Sequence, residues 1–213
     1  MTNFIPIFPL NVVVYPGEIL NLHIFEPRYK ELIKECFNNK KPFGIPAVIS
    51  GNVSEFGTLA SIMEIVKEYD NGEMDIITNG TIVFRILEII KKIPDKLYSG
   101  AIVSYPENSE VYSRKDLMLV VIKAIRELHR ILNISKDFRK PDDELNAYDL
   151  AHHAGLSIEE EYELLGLFRE EQRQEYLKRH LGKVLPVVAE MEVLKERIML
   201  NGHFKNLSSF RFE

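Results

Sequence analysis

The sequence predicts an α+β protein in which a curled, β-rich first half leads into a bundle of helices. Up to about Tyr105 the chain places Val, Ile, Phe and Tyr in short runs punctuated by Pro, Gly and Asn, the pattern of strands and turns. From Ser113 the apolar residues change period: Leu117, Val120, Val121, Ala124, Leu128, Ile131 and Leu132 form a helical stripe. Tyr105-Pro106-Glu107-Asn108-Ser109 separates the two patterns. The expected division is therefore a β-rich unit over 1–110, a helical bundle over 111–203 and an aromatic tail over 204–213.

The β-rich half can be justified element by element. In Val14-Tyr15-Pro16-Gly17, Pro16 and Gly17 suit the two central positions of a type II turn, where proline presets φ and glycine accepts a positive one. Leu20, Leu22 and Ile24 then alternate with Asn21 and His23, so one face of that strand is buried and the other faces water. Pro27 suits a first helical turn, and Tyr29, Leu32, Ile33, Cys36 and Phe37 follow with helical spacing. Cys36, on that stripe, reads as a buried small hydrophobe. A long hairpin joins Thr58–Tyr69 to Glu73–Ile90 through Asp70-Asn71-Gly72. Asn79-Gly80 inside its second arm predicts a bulge, corner or second turn, as a curling sheet needs.

In the second half, Ser113 and Asp116 resemble a capping box for the first helix. A second helix is expected from near Asp142 to Ala154, stopped by Gly155, and Ser157 with Glu160 should cap a third. A long last helix is expected from about Glu170 toward Leu200, bent by Gly182 and Pro186 and ended by Asn201-Gly202.

Composition excludes several function classes. The 213 residues carry a net charge of −5, and neither half is basic: residues 1–112 hold 10 Lys+Arg against 14 Asp+Glu, and residues 113–201 hold 15 against 17. Nucleic-acid binding, which needs a basic surplus, is accordingly the least favoured reading. Apolar runs stop well short of the roughly 20 residues of a membrane span, and Met1 to Leu10 lacks the basic start of a secretory signal. With a single cysteine, the expected location is cytoplasmic. No cofactor is expected: no phosphate-cradling G-x-x-x-x-G-K-[ST] loop is present. His152-His153 is not expected to hold a metal, because adjacent helical residues point about 100° apart. Ala151 to Ser157 imitates the turn of a helix-turn-helix, but Glu159, Glu160 and Glu161 would then face phosphates.

The ordered series Phe8-Pro9-Leu10, Val14-Tyr15-Pro16-Gly17 and Leu22-His23-Ile24-Phe25-Glu26-Pro27-Arg28-Tyr29 closely resembles the opening of the Lon protease N-terminal domain. Phe56-Gly57-Thr58-Leu59-Ala60 and Gly80 to Ile86 resemble two further strands of that family, with Val83 where an arginine is usual. The resemblance covers residues 5 to about 105, and the later helices match in architecture only. It implies a six-stranded, partly closed, PUA-like β-barrel with one helix, followed by the bundle. It also implies a recognition module rather than an enzyme, in a stand-alone form, since 213 residues are too few for an added ATPase and Ser-Lys peptidase.

The implied partner is unfolded or extended polypeptide, bound without covalent chemistry by a module that either works alone or delivers it to a separate ATP-dependent protease or chaperone. Tyr15, Phe56 and Tyr69, at or beside turns, are the candidate apolar binding patch. Pro16, Gly17, Glu26, Arg28, Gly57, Gly80 and Arg85 are expected to be structural, with Arg85 a candidate buried partner for Glu26. Phe204, Leu207, Phe210 and Phe212 in the tail are candidates for fold-back or self-association. The alternative reading is a small-molecule or peptide sensor using the mouth of the barrel.

Overall fold

The computed structural model describes residues 3–109 and 113–203. Its order is β1 (Asn3–Pro6), β2 (Ile19–Ile24), α1 (Pro27–Asn38), β3 (Phe43–Ile49), β4 (Asn52–Glu68), β5 (Met74–Ile90), β6 (Gly100–Ser104), α2 (Lys115–Ile131), α3 (Ala147–Ala151), α4 (Ile158–Leu165) and α5 (Glu170–His203). The six strands form one antiparallel sheet of order β1-β6-β5-β4-β3, with β2 also on β5. The mixed α+β architecture expected from the sequence is thus present, and the sheet is curled but not closed.

The long hairpin explains the curl. β5 keeps β4 on one side and changes its partner on the other: Met74 to Asn79 pair with β2, and Arg85 to Ile90 pair with β6. The change falls at Gly80, where the β4 register also slips between Leu59 and Ala60. A side chain at Gly80 would run into the backbone oxygen of Tyr15, so only glycine lets the Tyr15-Pro16-Gly17 turn sit against the corner. The turn itself has the expected form, with Gly17 at φ +83° and Glu18 N–H donating to Tyr15 O at 3.1 Å. Opposite, residues 7–10 bridge in parallel to β3 through Ile7–Gly44 and Leu10–Ala47, which draws β1 and β3 together.

Helix α1 covers one mouth of the sheet. Tyr29, Leu32, Ile33 and Cys36 pack with Phe8, Ile24, Phe43, Ile45, Met74 and Ile76, so Cys36 is buried as expected. A separate core runs between the halves, where Val13, Tyr15, Ala47 and Val83 meet the apolar faces of α2, α3, α4 and α5.

The helices correct the sequence reading in several places. Ser113 does not cap α2; its hydroxyl accepts from Gln174 at 3.0 Å, Arg114 is the N-cap residue, and Asp116 pairs with Arg114. The helix expected from Asp142 is confined to Ala147–Ala151, because Pro141 to Glu144 form a turn and Asn146 with Asp149 builds the capping box. Ser157 and Glu160 cap α4 as expected. α5 runs unbroken through Pro186 and on through Gly202 to His203. The tail residues Phe204, Leu207, Phe210 and Phe212 lie outside the described residues.

Candidate functional site

The three aromatic residues expected to form a binding patch do not come together. Tyr15 is 1% exposed: its hydroxyl donates to Glu161 O at 2.9 Å and its ring lies against Tyr148 and His152 at 5.1 and 5.0 Å. Phe56 is half-buried against Tyr162 and Phe168, and its N–H donates to the Tyr162 hydroxyl at 3.0 Å. Both side chains therefore join the β-half to α4, Tyr15 wholly out of solvent and Phe56 in part. Tyr69 sits apart on the β4–β5 hairpin, where its hydroxyl donates to Asp75 at 2.7 Å and Lys67 lies 4.2 Å over its ring.

Around Tyr15 the seam is also ionic. His152 Nδ1 is 2.7 Å from Glu161 and its Nε2 is 3.2 Å from Glu18, a carboxylate that also accepts the Tyr15 N–H at 2.9 Å. Burial works against a charged ring, but the hydrogen bonds and negative charge of Glu161 and Glu18 outweigh it and push the His152 pKa up to about 9. The adjacent His153 is driven the other way, down to about 4, by burial and by nearby Lys136. The two imidazoles thus do different work, and among the described residues no group of His, Cys, Asp and Glu is placed to hold a metal.

Gly57 lies so close to Ile45 and Pro46 that a side chain would strike their backbone. Glu26 precedes α1 and pairs with Arg28 at 2.7 Å. The expected Glu26–Arg85 pair is absent: Arg85 is exposed and pairs with Glu55 at 2.5 Å across β4 and β5. Alternation places Arg85 on the outer face, between the buried Phe84 and the half-buried Ile86.

One feature of the sheet is left open, and the sequence did not reveal it. Among the described residues β2 has β5 as its single neighbour. Gly80 N–H donates to Glu18 O at 2.8 Å and Thr78 Oγ1 donates to Leu20 O at 3.0 Å, which fixes the alternation. Leu20, Leu22 and Ile24 turn their backbone groups, and Glu18 its carbonyl, toward β5, whereas Ile19, Asn21 and His23 turn theirs outward. No backbone group among the described residues bonds to those three from the other side. The β2–β5 register is regular, without the slips that interrupt β4–β5. Beyond β2, Phe25 is 59% exposed. Ile19 to Ile24 contains neither the lysine nor the proline that usually guards a sheet edge, so its sequence reads equally well as an inner strand.

The Ile19 end of this edge opens on a cleft of about 420 Å³ between the Tyr15–Ile19 turn and the α2–α3 connection, with Lys136, Arg139 and Tyr148 in its walls. A second groove of about 580 Å³ lies between the end of α1 and β4, where Phe37 and the 59%-exposed Met63 face solvent. Cys36 at its base is pushed up to about 12 by burial, which suits packing and not nucleophilic attack.

A curled antiparallel sheet with one covering helix, a Pro-Gly turn at its corner and a helical bundle locked behind it defines the N-terminal domain class of Lon proteases. The chain belongs to the ATP-dependent protease La (Lon) substrate-binding domain family, whose model matches residues 5–183 and so extends through the helices. Among solved structures it is similar to the Lon N-terminal domain protein from Xanthomonas campestris, with a TM-score of 0.63 and 25% identity over 82% of this chain and 96% of that one. It is also similar in fold to the N-terminal domain of Mycobacterium avium complex Lon protease, with a TM-score of 0.60 and 14% identity over 84% of this chain and 98% of that one. No curated protein matches the chain in sequence. Among the described residues no helix is long and apolar enough to cross a membrane.

Proposed function

We propose that this chain is a non-catalytic, cytoplasmic recognition module that binds extended polypeptide along β2 and passes it to a separate ATP-dependent protease or chaperone. The observation that carries the reading is the regular, unguarded edge of β2, whose outward amides and carbonyls at Ile19, Asn21 and His23 have no backbone partner among the described residues. An unfolded segment can satisfy them by adding a strand, and its alternate side chains then meet the half-buried Leu20 and Leu22 on one face. A folded protein has most of its backbone groups already paired within its own helices and sheets, which is how the edge would discriminate. Membership of a substrate-binding domain family supports the same reading.

Asn21→Pro tests it, because proline removes one outward N–H and leaves the ladder to β5 intact. Pull-down of a reduced, unfolded model protein should fall at least about fivefold, the loss of roughly one hydrogen bond, while the melting temperature stays near the parent value. Equal recovery by a natively folded Asn21→Pro variant would refute the edge as the binding surface.

A further inference from the structure

Resting on the polypeptide reading above, we infer that the cleft at the Ile19 end of β2 is a carboxylate subsite, so that the preferred partner is an extended apolar segment with an acidic group at one end. The cleft and the edge are continuous, since Gly17, Glu18 and Ile19 line the cleft and Ile19 carries the first outward backbone groups of β2. A strand laid on β2 and continued past Ile19 comes to these lining residues.

Charge at that end selects the occupant. Residues 136–140 bring Lys136, Arg139 and Lys140 to the cleft against one acid, Asp137. Lys140 is held by Asp149 at 2.8 Å, and on the opposite wall Glu18 shares His152 with Glu161. Lys136 and Arg139 have no hydrogen bond or ion pair among the described residues. His153 also lines the cleft, and its buried Nδ1 has no hydrogen-bond partner. On the 136–140 wall the two cations without an ion pair, Lys136 and Arg139, face one such acid, Asp137, and this local excess on a chain of net charge −5 forms a site for an anion. A neutral or basic segment gains nothing there.

Four fluorescent peptides separate the possibilities by anisotropy on the full chain. All share an eight-residue alternating Thr-Val core; one has both ends blocked, one has a free C-terminal carboxylate, one carries two glutamates at its blocked C-terminal end, and one carries them at its blocked N-terminal end. At least one carboxylate-bearing peptide should bind about 10-fold tighter than the blocked peptide. The end that gains reports the direction of the added strand, and comparison of terminal with side-chain carboxylate reports the source. In Lys136→Ala/Arg139→Ala, two changes in an exposed loop, that advantage should vanish while blocked-peptide binding is unchanged. Equal affinity for all four, or an advantage that survives the double substitution, overturns the subsite and leaves the polypeptide reading standing. Failure of every peptide to bind overturns the polypeptide reading itself.

Discussion

Tyr15 and Ile19 are four residues apart, yet they belong to regions built on opposite terms. At Tyr15 the hydroxyl, the ring and the backbone N–H are all engaged, by Glu161, Tyr148 with His152, and Glu18. From Ile19 onward alternate backbone groups have no backbone partner among the described residues. Unpaired polar groups are costly only where water is excluded, so the first region must be completed within the fold and the second can be left for something else to complete. The difference separates residues that hold the two halves together from residues that remain available, and it moves the candidate site from the aromatic side chains to a stretch of backbone.

The largest test of the comparison is on the seam side. Arg173 and Glu170 are fully buried and pair at 2.9 Å, and Arg173 also donates to Asn108 at 2.7 Å and to Leu167 O at 2.8 Å. Arg173→Ala leaves the Glu170 charge buried without its counter-ion and should cost about 3–5 kcal/mol in urea unfolding. A loss below about 1 kcal/mol would show that this network behaves like a surface pair and would erase the contrast.

A second test uses pH. His152 has its pKa raised from 6.5 to about 9 in the folded protein, so the fold binds a proton that the unfolded chain releases. The resulting stabilisation is fully present below about pH 6.5 and is lost as pH rises through 9, amounting to roughly 3 kcal/mol at most. Urea unfolding of the parent chain and of His152→Gln should therefore differ most near pH 6 and converge above pH 9. A constant difference across that range would mean that the imidazole is not charged at the seam.

Local chemistry made much of the fold legible. The Pro16-Gly17 turn, the hairpin at Asn71-Gly72, the α1 stripe and the Ser157 capping box are each decided by residues within a few positions of one another. What escaped depends on distant chain. Tyr15 looked like a surface aromatic beside a turn because its partner, Glu161, lies 146 residues away. The second helix shrank to five residues because Asn146 offered a cap inside the periodic stretch. The open edge could not be seen from the alternation of Leu20, Leu22 and Ile24, because that pattern is the same whether a strand has one neighbour or two.

The smallest expected effect falls on a residue whose neighbours in sequence, Phe84 and Ile86, suggested burial. Arg85 and Glu55 have side chains 53% and 47% exposed, so their pair, though short, lies in water. Such a pair gains little Coulomb energy and holds two long side chains in one geometry, and exposed pairs of this kind contribute about 0.2–1 kcal/mol. Arg85→Ala should therefore shift the melting temperature by no more than roughly 2 °C, the effect of a few tenths of a kcal/mol in a chain of this size. It should leave polypeptide recovery unchanged, because β5 at Arg85 pairs with β4 and β6 and takes no part in the β2 edge. A shift of several degrees would place Arg85 with Tyr15 among the residues that bind the fold together, and the division between completed seam and open surface would have to be redrawn around the outer face of β5.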